Sequence, residues 1–235
     1  MLMRLKKLLN TCGYDVKKYH SPLTSTVRPL GIKTVLDIGA NVGHFSTHMR
    51  QLFPEAMIYA FEPLPDCFAA LQSRLANDRR FKAFPVALGD AAGEMTMERS
   101  AFHPSSSLRT MSSLHKQLYP KTAESRPETI QIARLDDVLA SEHLEPGLLV
   151  KMDVQGYEDA VIKGGANVIR QAVAAMIETS FVPLYENQPL FNDICKAMDE
   201  LGFSYCGDVG RHYSRTSDKL LYEDSLFLKK ELMTA

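Results

Sequence analysis

Four acids follow short apolar runs in this chain. Asp37 comes after Val35-Leu36, Glu62 after Ile58-Tyr-Ala-Phe61, Asp153 after Leu148-Leu-Val-Lys-Met152, and Glu178 after Ala174-Ala-Met-Ile177. Apolar runs this short, without helical periodicity, read as buried strands. In an open α/β sheet ligands lie beyond the carboxyl ends of the strands, so the four carboxylates should gather around one crevice. Gly39, Asn41 and Gly43 break the first run, and from Phe45 the pattern turns helical, with Phe45, Met49 and Leu52 on one face. Strand, glycine-rich turn and helix form the opening unit of a doubly wound, Rossmann-like nucleotide-binding domain.

Spacing narrows the nucleotide. A dinucleotide fingerprint has three glycines, whereas here only Gly39 and Gly43 are present, and Asp37 stands two residues before the first. A carboxylate there would repel a pyrophosphate but suits a cation. S-adenosylmethionine (SAM) carries an ammonium and a sulfonium, together with a carboxylate that the turn's N–H groups can bind. Glu62-Pro63 follows about 20 residues further on, where a carboxylate accepts from ribose hydroxyls. The cofactor set read from these residues is Asp37, Gly39, Asn41, Gly43, Glu62 and Pro63, with His44 in the first turn of the helix facing the methionine moiety. The plainer alternative is that Asp37 and Glu62 only cap helices.

The stretches DIGANVGHFS and AFEPLPDCF carry a resemblance, supported in order by VALGD, SSSL, RLDDVL, KMDVQGYE, IETSFVPLYENQPLF and DSLF. Together they resemble the FkbM family of SAM-dependent methyltransferases from roughly Leu30 to Lys229. The resemblance implies a class I methyltransferase fold, with a mostly parallel seven-stranded sheet whose last strand is antiparallel, plus a β-arm insertion. It also implies O-methylation of a hydroxyl on a sugar, glycan or secondary metabolite. N-methylation and a non-catalytic SAM-binding subunit stay open, because no stretch identifies the acceptor.

Methyl transfer needs the acceptor hydroxyl aligned and its proton taken up. With Asp37 and Glu62 assigned to SAM, Asp153 and Glu178 are the candidates for acceptor contact, general base or ligation of a divalent metal such as Mg²⁺. Both should face the transferred methyl, which also places Asp153 in the cofactor set. Lys151, two residues earlier on the same sheet face, would pair with one of these acids. Gln155 and Glu158 could bind acceptor hydroxyls, although Glu158 equally suits a helix N-terminus. Tyr185 could stack on a sugar ring, and His103 could act as a base delivered by a closing loop.

The elements that must position these groups follow in order. Helices are expected over His44–Phe53, Pro65–Leu75, Glu158–Ile169 and Phe191–Leu201, with Asp136 capping a further one. Strands are expected at Met57–Glu62, Phe84–Asp90, Leu148–Asp153 and Ala174–Thr179, with a final antiparallel pair at Ser204–Cys206 and Leu226–Leu228. Ala87 and Leu88 would then flank the adenine. An insertion at about 94–134 alternates like a β-arm at Met95–Arg99 and Glu128–Arg134; His103–Leu108 and the polar run to Pro127 between them read as a mobile loop over the site, in which the Ser105–Ser107 hydroxyls could help hold an acceptor or serve only as a flexible linker. Residues 1–30 form an N-terminal extension, whose basic amphipathic stretch Met1–Asn10 would pack on the domain or serve a homodimer or membrane-surface contact; 31–235 form the methyltransferase domain.

The remaining composition sets limits. With 235 residues, 45% of them hydrophobic, one domain suffices to bury a sizeable core. A net charge of -1 provides no general basic surface for nucleic acid. No apolar run is long enough for stable membrane insertion. The four cysteines lack metal or redox spacing. The expected partner is therefore a small-molecule or glycan acceptor, in a reducing, cytoplasmic setting.

Overall fold

A computed structural model describes residues 9, 11–12, 23–100, 103–214 and 217–233. The expected basic helix at Met1–Asn10 lies, apart from Leu9, outside the described residues. The main sheet contains β1 (Thr34–Ile38), β2 (Met57–Phe61), β3 (Phe81–Phe84), β7 (Leu148–Met152), β8 (Ala172–Ser180), β9 (Phe203–Tyr213) and β10 (Leu220–Lys229). Their order is β3-β2-β1-β7-β8-β10-β9, and only β10 runs against the rest. The order reverses between β1 and β7, which opens a crevice at their carboxyl ends.

All five positions of β1 and of β7 are buried, because helices cover both faces of the sheet. Alternate residues feed opposite cores. Val35, Ile58 and Leu149 pack with Met49 of α1 (His44–Leu52) and with the helical turns Leu23–Val27 and Arg28–Leu30. Leu36, Ile38 and Val150 pack with Val161 of α5 (Glu158–Gly164), Ile169 of α6 (Ala166–Ile169) and Met198 of α7 (Phe191–Glu200). Asp37 and Lys151, two residues on from Val35 and Leu149, share the face of the first set and therefore point to the α1 side. Helix α2 (Pro65–Arg74) places Leu71 against Ala40 and Ala60.

The expected third strand over Phe84–Asp90 is two strands. Pro85 has no N–H for a ladder, so β3 ends at Phe84 and β4 (Ala87–Leu88) joins a second sheet. That sheet, of order β4-β6-β5, comes mostly from the insertion, β5 (Gly93–Ser100) pairing antiparallel with β6 (Ser125–Ala133).

Between β5 and β6, residues 103–124 carry regular elements in place of the expected irregular loop. These are turns at His103–Ser105 and Pro120–Thr122 and the helix α3 (Ser113–Leu118), capped by Ser112. The Ser107 Oγ donates to the Gln155 carbonyl at 2.7 Å, and Met111 bridges to Tyr185, so the arm is stitched to the crevice.

The expected Glu158–Ile169 helix breaks at Gly164-Gly165. Gly165, at φ of -119°, leaves the helical region, and the preceding Gly164 allows close packing, since a Cβ there would lie 1.9 Å from the Gly89 carbonyl oxygen. Asp136 caps this break rather than its own helix α4 (Leu135–Val138), accepting from the Val168 N–H at 3.0 Å.

Candidate functional site

The turn after β1 needs left-handed backbone: Gly39, Asn41 and Gly43 have φ of 74°, 48° and 84°. β2 holds it in place, since the Glu62 carboxylate accepts from the N–H groups of Asn41 and Leu64, both at 2.9 Å. Burial raises the Glu62 pKa to about 7, against the lowering effect of those two N–H groups.

Asp37 does not occupy the place its spacing suggested. It is 0% exposed and lines neither of the two hollows described below. Its Oδ2 accepts from the Ser46 Oγ of α1 at 2.6 Å, and its Oδ1 lies 3.2 Å from the Lys151 Nζ. Lys151 also donates to the Gly39 carbonyl at 2.7 Å. Desolvation pulls the Lys151 pKa down, but the charges of Asp37 and then Asp153 outweigh it and leave the ammonium above its ordinary value. Through these contacts Asp37 ties α1, β7 and the turn together.

After β7 the chain makes a second tight turn. Gln155 has φ of 56°, which aims its amide back over the strand ends. Its Nε2 donates to Asp153 Oδ1 at 2.8 Å and to Glu178 Oε2 at 2.9 Å, while its Oε1 accepts from the Tyr185 hydroxyl at 2.7 Å. One amide thus bridges the two carboxylates. Desolvation, followed by the charge of Asp153, raises the Glu178 pKa well above the usual carboxylate range. Among the described residues no three His, Cys, Asp or Glu side chains are placed to hold a metal ion.

Glu158 is buried, and its Oε1 accepts from the N–H groups of Val154 and Gly156 at 3.1 and 3.2 Å. Burial raises its pKa to about 7. It shapes this turn and cannot reach an acceptor. Tyr185, at 1% exposure, likewise cannot stack on a sugar. Ser106 and Ser107 are spent on the Ser100 N–H and the Gln155 carbonyl. The side chain of His103 lies outside what is described.

Two hollows meet over this ground, sharing Gly39, Asn41, Pro104 and Asp153. The first, about 90 Å³, is bounded by Glu62, Pro63, Leu64, Ala87, Leu88 and, from the arm, Leu108. The second, about 540 Å³, is bounded by His44, Phe45, Lys151, Met176 and Asp224. Glu178 lines neither. The acid facing Asp153 across the larger hollow is Asp224 of β10, which pairs with Glu178 in the ladder. Burial, then the charge of Asp153, raises the Asp224 pKa to about 6. The rule of carboxyl strand ends does not find Asp224, because β10 is antiparallel and brings its amino-terminal half to that edge. The DSLF stretch was the available signal.

The doubly wound sheet, the turn at its switch point and the paired hollows make this an α/β domain of the doubly wound class. Residues 37–205 match the family model of the methyltransferase FkbM domain, and the chain belongs to that family. It is 32% identical over 166 residues to the 2-O-methyltransferase NoeI of Sinorhizobium fredii, covering 66% of each chain. It is 33% identical over 154 residues to the methyltransferase sdnD of Sordaria araneosa, covering 55% of this chain and 59% of that one. It is 30% identical over 167 residues to the 31-O-demethyl-FK506 methyltransferase FkbM of Streptomyces tacrolimicus, covering 60% and 64%. The chain thus spans 59% to 66% of the length of these relatives. Among the described residues no helix is long and apolar enough to cross a membrane.

Proposed function

We propose that this chain is a SAM-dependent O-methyltransferase, with 31–235 as its methyltransferase unit, acting on a hydroxyl of a sugar, glycan or secondary metabolite. The observation that carries the reading is the meeting of two hollows at Asp153, one bounded by Glu62 and the β1 turn, the other by two carboxylates. The 2-O- and 31-O- in the names of two relatives support a hydroxyl acceptor.

The residues present fit the cofactor. Glu62 keeps lone pairs for ribose hydroxyls beyond the two N–H groups it accepts. Leu64, Ala87 and Leu88 offer an apolar slot for adenine. The left-handed turn at Gly39, Asn41 and Gly43, with His44, serves the amino-acid end. When bound, SAM supplies an electrophilic methyl group on a sulfonium.

The chain's own task is to orient the acceptor and take its proton. The Gln155 amide fixes one oxygen of Asp153 and leaves the carboxylate free to accept from an acceptor hydroxyl. Asp224, with a pKa of about 6, is ionised yet basic enough near neutrality to receive the proton. Lys151 is committed to Asp37 and Gly39, so it sets the charge of the floor rather than binding the acceptor.

Calorimetric titration with S-adenosylhomocysteine, beside NAD, tests the cofactor reading. Binding of S-adenosylhomocysteine alone is expected, and binding of NAD instead would overturn it. Transfer of labelled methyl from SAM to hydroxyl-bearing glycans and metabolites then tests the reaction.

A further inference from the structure

Another hollow, of about 320 Å³, lies between α3 of the arm and the β9–β10 hairpin. Gln117 and Tyr119 reach it from the arm, Arg211, His212 and Tyr213 from β9, and Tyr222 from β10. Its volume is at the lower end of the range for small-ligand sites.

Its position relative to the acceptor hollow follows from strand geometry. Tyr222 and Asp224 are two residues apart on β10, so they share a sheet face and stand about 7 Å apart. Their partners on β9 are His212 and Gly210. Gly210 presents no side chain opposite Asp224, and a Cβ there would come within 3.3 Å of the Asp224 Oδ2. The two hollows are therefore neighbours on one face.

The walls suit a sugar ring. His212 stacks on Tyr222 with centroids 4.3 Å apart and planes within 10°. Tyr119 and the half-exposed Tyr213 add aromatic surface for the C–H face of a pyranose. Burial, then the nearby Glu178 charge, pushes the Tyr222 phenol upward, so it remains an O–H donor. The amide of Gln117 can donate and accept. Arg211 already pairs with Asp208 at 2.8 Å and lies 3.6 Å from Glu223, so its charge is balanced. Nothing here calls for an anionic sugar.

We propose that this hollow is a second acceptor subsite that holds a neutral sugar residue next to the group being methylated. The chain then acts on a glycoside or oligosaccharide in preference to a free monosaccharide. The proposal rests on the methyltransferase reading above.

The test uses the full chain, fluorescently labelled and mixed with S-adenosylhomocysteine, on an array of immobilised neutral, amino and acidic glycans from single residues upward. Retention by neutral glycans of two or more residues is expected. Tyr213→Ala and Gln117→Ala, both on the surface, should weaken it about tenfold while S-adenosylhomocysteine affinity in calorimetry stays unchanged. Three results would overturn the subsite with cofactor binding intact: no glycan retained, single residues retained equally well, or variants that bind like the parent. Failure of the parent chain to bind S-adenosylhomocysteine would instead bring down the reading beneath it.

Discussion

A Cβ on Gly39 would lie 2.0 Å from the backbone oxygen of Asp153. The turn on which the cofactor reading rests and Asp153, which lines both hollows, thus pack backbone to backbone, at a left-handed position. Gly39→Ala cannot be absorbed by a side-chain movement, because the obstacle is main chain. It should cost about 3 kcal/mol of stability or more and weaken S-adenosylhomocysteine binding at least about tenfold. Thermal denaturation and calorimetry would show both, and parent-like values would mean the two turns are not coupled.

The Asp37–Lys151 pair makes a different claim. Removing one partner of a buried ion pair leaves a charge without compensation, at a cost of about 3–5 kcal/mol. Asp37→Ala should therefore lower the melting temperature sharply, with any loss of cofactor affinity following from the loosened turn. Adding Lys151→Met should restore part of the lost stability. If the double variant is no more stable than Asp37→Ala, the pair is not the reason Asp37 is needed.

Glu158 gives a pH signature. Its carboxyl is raised to about 7 in the fold by burial, above its ordinary value of 4.5. The folded state therefore holds this proton more tightly than the unfolded chain does. The resulting stability is fully present below about pH 4.5 and is lost as pH rises to about 7, a change of roughly 3 kcal/mol. Glu158→Gln keeps an oxygen for the Val154 and Gly156 N–H groups but cannot ionise. Its melting temperature should match the parent near pH 4.5 and exceed it near pH 8. Parallel curves across that range would place the Glu158 proton elsewhere.

Much of this fold is legible in local pattern. The runs at Val35 and Leu148 are buried on both faces, and such runs announce central strands without tertiary information. The errors arise where distant chain segments decide. Pro85 marks a break, but only the partner strand β6 makes Ala87-Leu88 a strand of another sheet. Gly164 has no room for a side chain because Gly89, 75 residues away in sequence, passes against it, which no local signal carries. At the site, residue type singles out the acids but not which way they face. Asp37 and Glu158 turn inward to N–H, hydroxyl and ammonium donors, whereas Asp224 faces the cavity from the one strand that runs backwards.

Gln155 offers the sharpest test of how the two carboxylates act together. Its amide is the donor shared by Asp153 and Glu178. Gln155→Ala removes that donor and leaves like charges facing each other, which favours a shared proton. Cofactor affinity should change little, turnover should fall about 10- to 100-fold, and the pH optimum should move upward. Tyr185→Phe, which removes only the hydrogen bond to the Gln155 Oε1 and to the Ser105 carbonyl, should show a smaller version of the same shift. An unchanged pH profile in both would reduce the clasp to a structural role.

The choice of base can be read from the acid limb of the rate profile, once labelled methyl transfer has given an acceptor. A base must be unprotonated to work, and burial with the Asp153 charge raises the Asp224 carboxyl pKa to about 6. kcat/KM should therefore rise through pH 6 and level off above it. Asp224→Asn should lower kcat/KM by about 10²–10⁴ and abolish that limb, with S-adenosylhomocysteine affinity nearly intact. Asp153→Asn should also reduce turnover, but by losing the orienting contact, so the limb near pH 6 should survive. If the limb instead disappears in Asp153→Asn and persists in Asp224→Asn, the roles are exchanged: Asp153 takes the proton and Asp224 holds the acceptor. Both outcomes keep the proton on the wall of the larger hollow, and only a limb that survives in both variants would move it elsewhere, with His44 the next group to test.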